Sequence, residues 1–152
     1  MSELRELYQE TILDHTRRPR NFGKLEGATA AAHGYNPLCG DRVTVYVGLE
    51  DGKLRDVRFE GQGCSISTAS ASLMTEAARG KTPAEVDALY QRFHAMVTAP
   101  ADQPAAGDGL GKLAVLGGVR EFPVRVKCAT LVWHVLRAAL EGRKDPITTE
   151  ES

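Results

Sequence analysis

The stretch VTVYVGLEDGKLRDVRF, residues 43–59, decides the fold. Val43, Val45, Val47 and Leu49 alternate with Thr44, Tyr46 and Gly48, the period of two that buries one face of a strand. Asp51-Gly52 is a strong hairpin signal, because both residues tolerate the backbone that a tight turn needs. The chain then returns over about 53–60 with Val57 and Phe59 on one face. Upstream, ATAAAHGYN (28–36) is a weaker candidate strand, so the sequence predicts a three-stranded antiparallel meander.

Helical patterns flank this hairpin. Leu4, Leu7, Tyr8, Thr11, Ile12 and His15 predict a helix over 3–16, with Ser2 as a cap and a stop before Pro19. Residues 17–28 follow as a basic loop, in which RRPRN (17–21) is either solvated or a docking patch for an acidic partner. A helix of small side chains is expected from about 65 to 79, stopped by Gly80. Thr82, Pro83 and Glu85 form a capping box for a helix with the stripe Val86, Leu89, Tyr90, Phe93 and Val97. Residues 98–109 have loop composition, a short element lies within 110–122, and a last helix runs from about 123 to 141, where Gly142 ends it. The order is one helix, strands, then helices. That order predicts an α+β fold, with a small three-stranded antiparallel sheet and helices packed on one face.

The chain of 152 residues suits one domain, 1–152, with a loop or insertion about 98–120 and a tail at 143–152. A domain of this size buries roughly 70% of its unfolded surface, so a core can form without disulfides. With 19 basic and 20 acidic residues the net charge is −1, which gives no reason to expect nucleic acid or a membrane surface as partner. No apolar run reaches the roughly 18 residues that would span a bilayer. The first residues, MSELRELYQE, lack an apolar secretory core, so the expected location is cytoplasmic.

Three cysteines are an odd count, which argues against a closed disulfide framework. Cys39 and Asp41 are two apart, and in an extended segment both side chains leave one face. Cys64 precedes a helix, whose N-terminal partial charge favours a thiolate. Cys128 lies in the first half of the last helix, after Lys127 and three residues beyond Arg125, whose charge also favours a thiolate. Three thiolates and one carboxylate match the tetrahedral count of zinc, and thiolates also hold iron–sulfur clusters. No CxxC pair supports a metal, and the competing reading makes Cys64 and Cys128 small buried apolar residues. Among the histidines, His33 lies in the first candidate strand and could approach the site. His15, His94 and His134 read as surface or partly buried helix residues, and Trp133 as core or interface.

Four segments in order resemble one family. NPLCGD, GQGCSISTASASLM and FPVRVKCATLVWHVL look like the three cysteine segments of the iron–sulfur cluster assembly scaffolds, the IscU and NifU N-terminal family, and LYQETILDHTRRPRNFG resembles their N-terminus. The likeness covers about residues 5–142. Lys127 stands where IscU-type members carry a histidine, EFPVRVK replaces their LPPVK chaperone-docking motif, and GDGLGKLAVLGGVREFP looks like an insertion, so the chain is most similar to the SufU type.

The resemblance implies a non-enzymatic partner of a cysteine desulfurase of the SufS or IscS type. Cys39, Asp41, Cys64 and Cys128 would ligate zinc, or a transient 2Fe–2S cluster or iron. Cys39 would be the catalytic thiol that accepts persulfide sulfur, and Arg125 and Lys127 would act from outside the ligand set. Recipient or carrier iron–sulfur proteins would follow, while the altered docking motif argues against an Hsp70-type chaperone. Two rival readings keep the residues and change the role. In one the protein itself assembles a transient 2Fe–2S cluster, and in the other it is an adaptor with a purely structural zinc.

Overall fold

In the computed structural model, which describes residues 2–37, 40–100, 109–142 and 147–148, the expected hairpin is the centre of the molecule. The elements in chain order are α1 (Ser2–Arg17), β1 (Ala30–Asn36), β2 (Asp41–Glu50), β3 (Lys53–Gln62), α2 (Ser65–Ala78), α3 (Pro83–Thr98), a 3₁₀ helix (Gly111–Glu121), α4 (Pro123–Leu140) and β4 (Ile147–Thr148). Asp51 (φ 56°) and Gly52 (φ 77°) both turn left-handed, which matches the twist of the two strands they join. β2 pairs antiparallel with β3 and, on its other side, with β1, where Asn36 faces Asp41 at the loop end of the ladder.

The sheet order is β3-β2-β1-β4, so the sheet has a fourth member that the sequence reading lacks. Ile147 and Thr148 run parallel beside Gly34 and Tyr35, inside the stretch read as a tail. Two residues are too few to leave a periodic signal. Within the stretch read as an insertion, Gly111–Glu121 wind into the 3₁₀ helix and bury Leu113, Leu116 and Val119; residues 101–108 lie outside the described residues.

The period of two sorts the sheet into faces. Ala32, Val43, Val45, Val47, Leu54, Val57 and Phe59 point inward and join one core with Leu131, Val132, Val135 and Leu136 of α4. α4 packs on β1 and β2, α2 packs on β3 and α4, and α3 covers α4 from the far side. Trp133 is fully buried in this core, stacked on Phe93 with ring centroids 5.3 Å apart. The capping box at Thr82 and Glu85 is formed as expected, each side chain accepting the other's backbone N–H. No described helix is long and apolar enough to cross a membrane.

Two histidine readings change. His15 is buried rather than near the surface, because its Nδ1 meets Ser72 Oγ at 2.6 Å and ties the end of α1 to α2. Burial lowers its pKa. His33 does not join the cluster of Asp41, Cys64 and Cys128. It is exposed on the outer face of β1, where it lines a shallow cleft with Phe22 and Tyr35.

His134 is half-buried on α4, and burial, then the charges of Arg137 and His94, push its pKa down to about 4 from an ordinary 6.5. The folded state therefore holds it neutral, while the unfolded chain takes up a proton below pH 6.5. Stability should fall as the pH drops from 6.5 towards about 4 and level off below that. Urea unfolding across that range measures the slope, and His134→Gln should flatten it.

Candidate metal centre

The loop end of the β1–β2 ladder, the start of α2 and the second turn of α4 meet at one point. Asp41 opens β2 and points inward, because it is in phase with Val43, Val45 and Val47; it is fully buried. Cys64 is the N-cap of α2, with extended backbone (φ −71°, ψ 168°), and its Sγ accepts the N–H of Ser67 at 3.4 Å. A thiol thus fills the place a serine or aspartate usually takes. Cys128 is fully buried on α4. Asp41, Cys64 and Cys128 bring one ligand atom each within 4.8 Å of one another.

Hydrogen bonds fix this arrangement. Asp41 Oδ1 accepts the backbone N–H of Cys64 at 2.8 Å, while its Oδ2 lies 4.0 Å from Cys64 Sγ. One carboxylate oxygen is therefore committed to the protein and the other faces the sulfurs. Gly63 makes that close approach feasible, since a Cβ there would stand 2.5 Å from Asp41 Oδ1. Hydrogen bonding to Cys128, then the N–H groups of Ser67 and Ile66, pull the Cys64 pKa down to about 6, against burial and the Asp41 charge. The surroundings of Cys64 thus favour its thiolate. Arg125 is exposed on α4, and its own pKa is raised by the charges of Cys64 and Cys128. Its cation balances the anionic cluster. Lys127 is half-buried beside Cys128.

The donor set fits a thiophilic metal. In a tetrahedral zinc site with Zn–S bonds of ~2.3 Å, ligand atoms stand roughly 3.8 Å apart, so the cluster needs only a small contraction. Of the four expected ligands, three converge among the described residues; Cys39 lies outside them.

Sequence reasoning missed Asn36. Its side chain is fully buried, and its Nδ2 stands 3.5 Å from both Asp41 Oδ2 and Cys128 Sγ. A signal was present, because Asn36 is in phase with Ala32 and Gly34 on the buried face of β1. An amide at an inward strand position is costly unless it is hydrogen-bonded.

Known proteins share this frame. The family model described as the NifU-like N terminal domain matches residues 7–140. An iron–sulfur cluster assembly scaffold protein IscU from Streptococcus pyogenes serotype M1 is 41% identical over 141 residues, 93% of this chain and 87% of the relative. The zinc-dependent sulfurtransferase SufU of Bacillus subtilis (strain 168) is 40% identical over 130 residues, 86% of each chain. Among solved structures, a putative iron–sulfur cluster assembly scaffold for the SUF system from Fervidobacterium islandicum AW-1 superposes with a TM-score of 0.79 at 36% identity, covering 89% of this chain and 97% of that one.

Proposed function

Because the chain belongs to the NifU-like N-terminal domain family of iron–sulfur cluster assembly scaffolds, we propose that it takes sulfur from a cysteine desulfurase at a zinc-bearing site and supports cluster assembly and transfer. The observation that carries this reading is the convergence of Asp41, Cys64 and Cys128, with Cys39 only two residues from Asp41 in the chain. Those four residues would hold the metal, and zinc, when bound, stabilises thiolates at neutral pH.

The residues divide the work. Cys39 is the acceptor. Its thiolate attacks the outer sulfur of the desulfurase persulfide, a new S–S bond forms on Cys39, and the desulfurase cysteine leaves as a thiolate with the electrons of the broken bond. Asp41 would offer a metal its Oδ2, because its Oδ1 holds Cys64 N–H. A carboxylate is harder than a thiolate and suits an exchangeable ligand position. Arg125 offsets the negative charge of Cys64 and Cys128 while the acceptor is free. Lys127, as a cation, adds to that field. Desulfurase partner, cytoplasmic location and onward transfer to carrier proteins belong to the same reading.

The test mixes the zinc-loaded full chain with a cysteine desulfurase and L-cysteine, then weighs its peptides. One added sulfur on the Cys39 peptide and faster desulfurase turnover are expected, and Cys39→Ser should lose both. Neither effect in the natural protein would refute sulfur transfer. The scaffold names of the relatives favour a second reading, in which the same residues carry a transient 2Fe–2S cluster. Anaerobic reconstitution separates the two, since only a scaffold gains cluster absorbance and then passes the cluster on.

A further inference from the structure

We propose that Asn36 is a positioning residue of this metal centre, its side-chain amide clamping Asp41 Oδ2 and Cys128 Sγ at one spacing. The two partners come from different elements, β2 and α4, so a single amide spans a strand and a helix. Both are hydrogen-bond acceptors. That fixes the orientation of the amide, because its carbonyl oxygen in the same place would face a carboxylate oxygen and a sulfur. The NH₂ group supplies two donors, one for each.

Asn36 can act as a clamp because its backbone is anchored. It faces Asp41 in the ladder, and its carbonyl accepts the N–H of Gly40 at 2.8 Å. Its side chain is fully buried, so water does not compete for either contact. Asp41 is thereby gripped twice. Oδ1 takes the N–H of Cys64, and Oδ2 is turned by Asn36 towards the sulfurs. An N–H directed at a thiolate also draws density from it, which weakens its donation to a metal. Asn36 reaches Asp41 and Cys128, and its effect on the metal runs through them.

This inference rests on the metal reading above, so its test uses metal binding and spectra, not sulfur transfer. Asn36→Leu keeps the shape and removes both donors. In chelator competition the full-length variant should bind zinc about 10- to 100-fold more weakly than the natural chain. With cobalt(II) in place of zinc, its sulfur-to-metal charge-transfer band should move to lower energy, a shift that a purely structural role would not produce. Unchanged affinity and an unchanged band, in a variant with native circular dichroism, would overturn the clamp. A wild-type measurement covers the case in which the variant does not fold. In the ¹⁵N-asparagine-labelled natural protein, the Asn36 side-chain amide protons should shift on zinc addition, and fixed resonances would refute the proposal. If the natural chain binds neither zinc nor cobalt, the metal reading itself fails and takes this inference with it; if it binds both and the variant matches it, only the role of Asn36 falls.

Discussion

Gly61→Ala is expected to destabilise the protein by about 3 kcal/mol, the upper end of the cost of a strained backbone position. Gly61 pairs with Val43 near the end of β3 and has a φ of +150°, where side chains are strained. An added Cβ would stand 2.1 Å from the carbonyl oxygen of Arg42 and 2.9 Å from Cα of Val43. Both atoms are backbone, so no rotamer change relieves the clash; β3 must lift off β2. For a domain of about 150 residues the loss corresponds to a fall of roughly 6–12 °C in Tm, read by thermal unfolding. Gly52→Ala is the control. Gly52 also has a positive φ, +77°, but a Cβ there meets nothing within 4 Å, so only backbone strain of about 1 kcal/mol is expected. The consequence reaches the site, because β3 leads through Gly63 to Cys64. Lifting its end draws the Cys64 N–H away from Asp41, and faster labelling of Cys64 by a thiol reagent should accompany the stability loss. Equal effects of the two substitutions would contradict the close approach at Gly61.

Trp133→Ala should cost about 3–5 kcal/mol, the range for deleting a large buried aromatic side chain. Trp133 is fully buried, stacked on Phe93 and 6.1 Å by ring centroids from Tyr90, so the cavity opens between α3 and α4. Trp133→Phe should cost far less. The indole N–H is buried without a hydrogen-bond partner among the described residues, and such a donor carries a desolvation penalty of about 1–3 kcal/mol. Phenylalanine removes that penalty and keeps most of the stacking area. Urea unfolding of both variants measures the difference. Similar losses for Phe and Ala would show that the indole is held by more than packing.

Several of these features were legible along the chain because their causes are local. The alternation at Val43–Leu49 and the Asp51-Gly52 turn specify the hairpin within a few residues, and Thr82 and Glu85 specify the start of α3 in the same way. Cys64 could be placed at a helix N-terminus from its two preceding glycines and the small residues after it. The four resembling segments pointed to the family that the comparisons bear out. Other features left no local trace. His15 carries the marks of an ordinary helix residue, and its burial follows from the packing of α1 on α2, where Ser72 lies 57 residues away. β4 is two residues long and exists only as a partner of β1. The expectation for Cys39 falls outside the described residues.

The sequence by itself determined the hairpin, the helices, the α+β class, the family and the residue types of a candidate metal site. Only the tertiary structure decided that Asp41, Cys64 and Cys128 converge, that Gly63 makes room for the carboxylate, and that Asn36 reaches a sulfur 92 residues away. The reason is physical. Strand alternation, turn chemistry and helix caps arise from interactions within about one or two turns of chain, so they are written in short runs of residues. A site made of contacts between a strand end, a helix start and a distant helix exists only once the core has packed those elements together, and one sequence carries no record of that distance.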